Sequence, residues 1–88
     1  MQTSYTIATP EDFSAIMRSL RVEKNVTQAQ LANQVGKTRR WVSDVERGVI
    51  APTLPAVLAV MRILGYKMNF SAAVDEVGVD LIALALGE

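Results

Sequence analysis

The chain contains neither cysteine nor histidine. Without cysteine, no disulfide can staple a small core, and no thiolate is available to hold a metal or attack a substrate. Without histidine, the commonest general base and the commonest metal ligand are both missing. Catalysis would have to rest on carboxylates such as Asp75, Glu76 and Asp80, and these follow no catalytic spacing. The expectation is a non-enzyme with no cofactor and no bound metal. Long apolar runs are absent too: none reaches the roughly 20 residues that cross a bilayer. The N-terminus also lacks the basic segment and apolar stretch of a signal peptide. No membrane association is expected, and the cytoplasm is the simplest location.

An excess of one charge is the last thing lacking: nine basic residues balance nine acidic ones. The balance hides an uneven distribution. Between residues 18 and 47, Arg18, Arg21, Lys24, Lys37, Arg39, Arg40 and Arg47 outnumber Glu23, Asp44 and Glu46. After Ser71 only acids occur: Asp75, Glu76, Asp80 and Glu88. A basic domain is followed by an acidic tail, and local field governs phosphate binding more than net charge does. The 88 residues allow one domain with a small core. Half of them are apolar, which is rich for that length and points to apolar surface buried against a partner.

Residues 1–9 hold β-formers at Tyr5, Thr6 and Ile7 and read as an arm or short strand. Thr9-Pro10-Glu11-Asp12 is a helix start: a hydroxyl cap, a proline in the first turn, then acids at the positive helix end. The helix is expected to run to about Lys24, with Phe13, Ile16, Met17 and Leu20 on its core face. Thr27 with Gln30 forms a capping box for a second helix. Leu31, Ala32 and Val35 share a face of that helix, and Gly36 ends it, since glycine enters the left-handed region cheaply. Thr38 caps a third helix with Val42 and Val45 inward, and Gly48 closes it. Pro52 blocks continuation. Thr53 then caps a fourth helix whose expected core stripe is Leu54, Val57, Leu58, Met61 and Leu64.

Two short helices joined by a glycine-containing turn are a helix-turn-helix signature. The exposed side of the second carries Arg39, Arg40, Trp41, Ser43, Asp44 and Arg47. Arginine can bond a guanine edge bidentately, and aspartate can accept from a cytosine amino group. Candidate base readers are therefore Arg39, Arg40, Trp41, Ser43 and Asp44, with the Trp41 ring suited to a thymine methyl or a sugar. Candidate phosphate contacts are Thr27, Gln28, Lys37, Thr38 and Arg47, because helix N-termini and nearby cations suit anions.

Thr27-Gln28, Leu31-Ala32, Gly36, Val42-Ser43, Glu46 and Gly48, flanked by Leu20-Arg21 and Leu64-Gly65, resemble the phage repressor/Cro (XRE) helix-turn-helix family. The resemblance covers residues 16–66. Lys37 and Trp41 depart from it: a small aliphatic and a small polar residue are common there. Both departures bear on which sequence is read and leave the fold alone. The resemblance implies a structural ion pair between Arg21 and Glu46, main-chain contacts to phosphate from residues 48–53, and homodimers on a near-palindromic operator in double-stranded DNA.

Tyr66-Lys67-Met68-Asn69-Phe70 alternates, with Tyr66, Met68 and Phe70 on one side, as a strand does. Its partner would be Tyr5–Ile7 or the same strand of a second subunit. A Tyr-x-Ile start, a Pro-initiated first helix and a Leu-Gly-x-x-Met strand resemble HipB-type antitoxins. That subgroup implies autoregulation of an operon within a type II toxin-antitoxin pair, and a HipA-like kinase toxin as partner. The expected architecture is all-α. Residues 1–9 form an arm or short strand, 10–66 a four-helix repressor-like bundle, 67–71 a short dimerising strand, and 72–88 an acidic, apolar tail in which Asp80 caps Leu81–Leu86. The expected function is a bacterial transcriptional repressor, nucleoid-associated when operator-bound. A stand-alone phage or plasmid repressor, and an interaction module that does not read DNA, stay open as alternatives.

Overall fold

The computed structural model describes residues 4–72 and 85–87. Among the described residues four helices follow in order: α1 (Pro10–Glu23), α2 (Gln28–Val35), α3 (Arg39–Glu46) and α4 (Leu54–Ile63). Each has threonine at its N-cap, with extended backbone and the hydroxyl accepting a first-turn amide. Thr9 with Asp12, and Thr27 with Gln30, form reciprocal capping boxes. Each box satisfies two amides that a helix start would otherwise leave orphaned.

The three residues between α2 and α3 make the turn. Gly36 lies in the left-handed region at φ 71°, and Lys37 N–H donates to the Ala32 carbonyl at 2.9 Å. A side chain at Gly36 would strain this conformation, so the turn's tightness depends on glycine. The α1–α2 turn uses Asn25 at φ 58°. Asparagine tolerates the left-handed region better than most residues.

The core consists of Phe13, Met17 and Leu20 from α1, Leu31 and Ala32 from α2, Val42 and Val45 from α3, and Val60, Met61 and Leu64 at the C-terminal end of α4. α2 packs on both α3 and α4, and α3 also meets α1. The α4 stripe differs from expectation. Leu54 and Leu58 are exposed, at 61% and 47%, and fully buried Val60 takes part instead. Nearly every residue of LPAVLAVMRI is apolar, so its pattern carries no face, and packing against α2 chooses one.

The dimerising strand over 67–71 is not present: residues 66–72 have no regular structure, and the described residues contain no strand. Tyr66 N–H is drawn back to the Met61 carbonyl at 2.8 Å, which caps the end of α4. Its ring meets that of Tyr5 edge-on, with centroids 5.8 Å apart. That contact is between side chains. Among the described residues no backbone hydrogen bond joins the segment to residues 4–8. A strand is defined by a partner's N–H and C=O groups, so alternation alone cannot make one. The tail from 73 to 84, including the Asp80 cap, lies outside the described residues.

Asp12 makes the start of α1 sensitive to acid. Its Oδ2 accepts from the Ala8 and Thr9 amides at 2.9 and 3.0 Å. These bonds favour the charged form and hold the carboxyl below its ordinary value of 3.8. A depressed folded value means that the contribution to stability is complete above pH 3.8 and is lost as pH falls through the folded value. We therefore expect an acid titration followed by circular dichroism to show helix loss below that pH. Asp12→Asn should have a smaller acid-dependent component, and an unchanged titration would show that the box does not couple to pH.

Candidate nucleic-acid interface

α3 packs on α2 with Val42 and Val45 fully buried and the Glu46 carboxylate turned inward, while Arg39 and Arg40 face solvent. Arg39 and Arg40 stand exposed in the first turn. Thr38 spends its hydroxyl on the Trp41 amide at 3.0 Å, fixing where the helix begins. Trp41 is half-buried against the core, and Lys37 Nζ lies 5.4 Å from its ring centroid. The ring thus holds a cation at the tip of the turn. Ser43 is half-buried.

Behind α3 is an ion-pair network. Glu46, whose side chain is 2% exposed, accepts from Arg21 Nε at 2.7 Å and from Arg21 Nη2 at 3.0 Å. Gln28 Nε2 donates to the same carboxylate at 3.1 Å. Arg21 Nη1 donates to the Val26 carbonyl at 2.8 Å. One carboxylate on α3 therefore gathers α1, the start of α2 and the turn between them. The two Arg–Glu bonds form a fork, the geometry that suits guanidinium to carboxylate.

These contacts sort the candidate residues. Thr27, Gln28 and Arg39 line one open notch of about 510 Å³ together with Arg21 and Ala29. Lys37 pairs with Trp41. Arg47, at the C-cap of α3, bonds Asp44 Oδ1 through Nη2 at 2.6 Å. Arg40 Nε lies 3.8 Å from Asp44 Oδ2. Tyr66, Met68 and Phe70 belong to a separate apolar groove with Tyr5, Ile7 and Ile16.

Three features were not found by sequence reasoning. Gln28 is bound to Glu46, so its donor faces the protein; no spacing rule signals a contact made 18 positions apart. Asp44 sits between two arginines; the i+3 and i+4 spacings to Arg47 and Arg40 were a readable signal. The amides of Val49 and Ile50 donate to the Asp44 carbonyl at 2.8 and 3.4 Å. That loop's main chain is thus partly occupied within the protein.

Residues 12–67 match a helix-turn-helix domain family. The chain is 35% identical over 66 residues to the uncharacterized HTH-type transcriptional regulator y4mF of Sinorhizobium fredii, covering 75% of this chain and 87% of that one. It is similar to the clp gene regulator ClgR of Corynebacterium glutamicum, with 29% identity and a TM-score of 0.64. That alignment covers 66% of this chain and 62% of ClgR, so this chain spans less than two thirds of ClgR's length. It also shares the fold of the HipB–O4 20mer complex, with 23% identity and a TM-score of 0.71, over 80% of this chain and 99% of the other.

Proposed function

The chain belongs to the helix-turn-helix domain family, and from that premise we propose that it is a sequence-specific DNA-binding repressor that reads duplex DNA with α3. The observation that carries this reading is the exposed, cation-rich face of α3. Arg39 and Arg40 project from a helix whose other face is locked into the core, with Lys37 in the turn before it and Arg47 at its C-cap. Arg39 and Arg40 are the proposed base readers, with Trp41 and Ser43 beside them. Lys37, Arg47 and the helix starts at Thr38 and at Thr27 and Gln28 supply phosphate contacts, Gln28 through its main-chain amide because its side chain is held by Glu46. Base contacts specify and phosphate contacts position. Trp41 adds one apolar surface to this set.

A single α3 offers few base contacts, and two-fold dimers with half-sites about 34 Å apart are the usual solution. The chain is accordingly proposed to act as a homodimer on a near-palindromic operator. Exposed Ile7, Met68 and Phe70, the last 96% accessible, line the apolar groove that a second copy would cover. The finer reading is an autoregulating antitoxin with a HipA-like kinase toxin, held in the cytoplasm on its own operon. It is supported by the Tyr5-x-Ile7 and Leu64-Gly65-x-x-Met68 patterns.

The test is titration onto the DNA upstream of its own gene and onto a scrambled duplex at two salt concentrations, with sedimentation to give stoichiometry. Two chains bound tightly to the upstream DNA alone, with affinity falling steeply with salt, is the expected result. Equal, weak, salt-insensitive binding to both would favour an interaction module. A neighbouring gene product that co-purifies with the chain would separate an antitoxin from a stand-alone repressor.

A further inference from the structure

Asp44 is an acid set in a basic surface. Its side chain is 16% exposed, and both carboxylate oxygens face arginines of the same helix or its cap. Arg47 and Arg40 are otherwise free in solvent, at 64% and 90% side-chain exposure. Among the described residues, Asp44 is the group that pairs with both guanidiniums. The backbone beneath Asp44 is anchored in turn, because its carbonyl accepts from the Val49 and Ile50 amides. Its place on α3 suggested a base reader; its contacts suggest another role.

We propose that Asp44 is a positioning residue that restrains Arg40 and Arg47 and so weakens binding to random DNA more than binding to the operator. This deepens the reading of α3 as DNA-facing and rests on it. An arginine tethered to a carboxylate one turn away stays aligned along its own helix. In that direction Arg40, a proposed base reader, can meet a base edge without leaving Asp44, whereas Arg47, a proposed phosphate contact, is held back in both modes. To reach a phosphate either arginine must swing off the helix and break the pair. Non-specific binding consists almost entirely of phosphate contacts, so the restraint falls mainly on that mode. The carboxylate also repels the nearby phosphates in both modes.

The experiment compares wild type with Asp44→Asn on a random-sequence 20-bp duplex and on a duplex enriched from a random pool by binding wild type. Asp44→Asn should bind the random duplex roughly two- to fivefold more tightly, the worth of an exposed pair released. Its plot of log affinity against log salt should steepen by about 0.9, one added phosphate contact. Affinity for the enriched duplex should not rise in step, so the ratio between the two falls. In an Arg47→Gln background the gain should shrink. A gain of the same size there would mean that only bulk charge matters, and would overturn the positioning role.

Loss of affinity confined to one base pair, with random binding unchanged, would make Asp44 a base reader and overturn the proposal. Should Asp44→Asn melt early, Asp44→Glu serves instead. It keeps the charge but displaces the carboxylate, so a positioning role gives a partial gain and a pure charge effect gives none. A wild-type chain that binds neither duplex would overturn the DNA reading and this proposal with it. The other adverse outcomes overturn the proposal alone.

Discussion

Glu46→Ala is expected to destabilise the domain by about 3 kcal/mol, the lower end of what removing one partner of a buried ion pair costs. The Glu46 side chain is 2% exposed and that of Arg21 is 12% exposed, so the guanidinium left behind keeps only a little access to water. It also loses two of its three bonds, keeping the one to the Val26 carbonyl. For a domain of this size, about 3 kcal/mol corresponds to a fall in Tm of more than ~10 °C. Replacing both partners, as Arg21→Met with Glu46→Leu, should recover most of the loss, because neither desolvated charge then remains. Gln28 and Val26 are only part-buried and can turn to water. Thermal melts of the single and double variants check this. A double variant no better than Glu46→Ala would show that the network holds the three helices in a way apolar side chains cannot replace.

The second large effect concerns binding. Arg40→Ala should weaken the operator complex by about 1–3 kcal/mol and relax preference at one base position. Arg39→Ala should act similarly at a neighbouring position, and the double variant should leave little more than non-specific affinity. Neither change should alter the melting temperature, since both side chains lie on the exposed face of α3. Lys37→Ala offers the contrast. A cation at the turn that meets only phosphate should lose affinity uniformly across sequences and flatten the salt slope by about 1. Binding measured on operator and random duplexes distinguishes the two patterns. If Arg40→Ala lost equally on both, Arg40 would be a phosphate contact, and base reading would have to come from Arg39 and Trp41.

The helices were legible because their signals are local. Thr9, Thr27, Thr38 and Thr53 each precede a run able to form a helix, and each caps one. Gly36 stands where a left-handed residue is needed. A cap is decided within four residues, so sequence contains the whole of its physics. The alternation at Tyr66–Phe70 was equally visible but decided nothing, because strand formation depends on a partner that the segment does not contain. The α4 stripe failed for the opposite reason. A helix with almost no polar residue offers several faces, and the choice of Val60 over Leu54 and Leu58 came from outside the helix.

The sequence by itself determined the four helices, the three-residue turn and the concentration of arginine on α3. Each of these follows from caps, glycine and spacing over short distances. Only the tertiary structure decided how those charges are used. It turned Gln28 inward to Glu46, drew Asp44 between Arg40 and Arg47, and left Arg39 beside the start of α2. A charged side chain's role depends on which opposite charge it meets and how much water remains around it. Both are set by how the helices cross, which no local stretch of the chain contains.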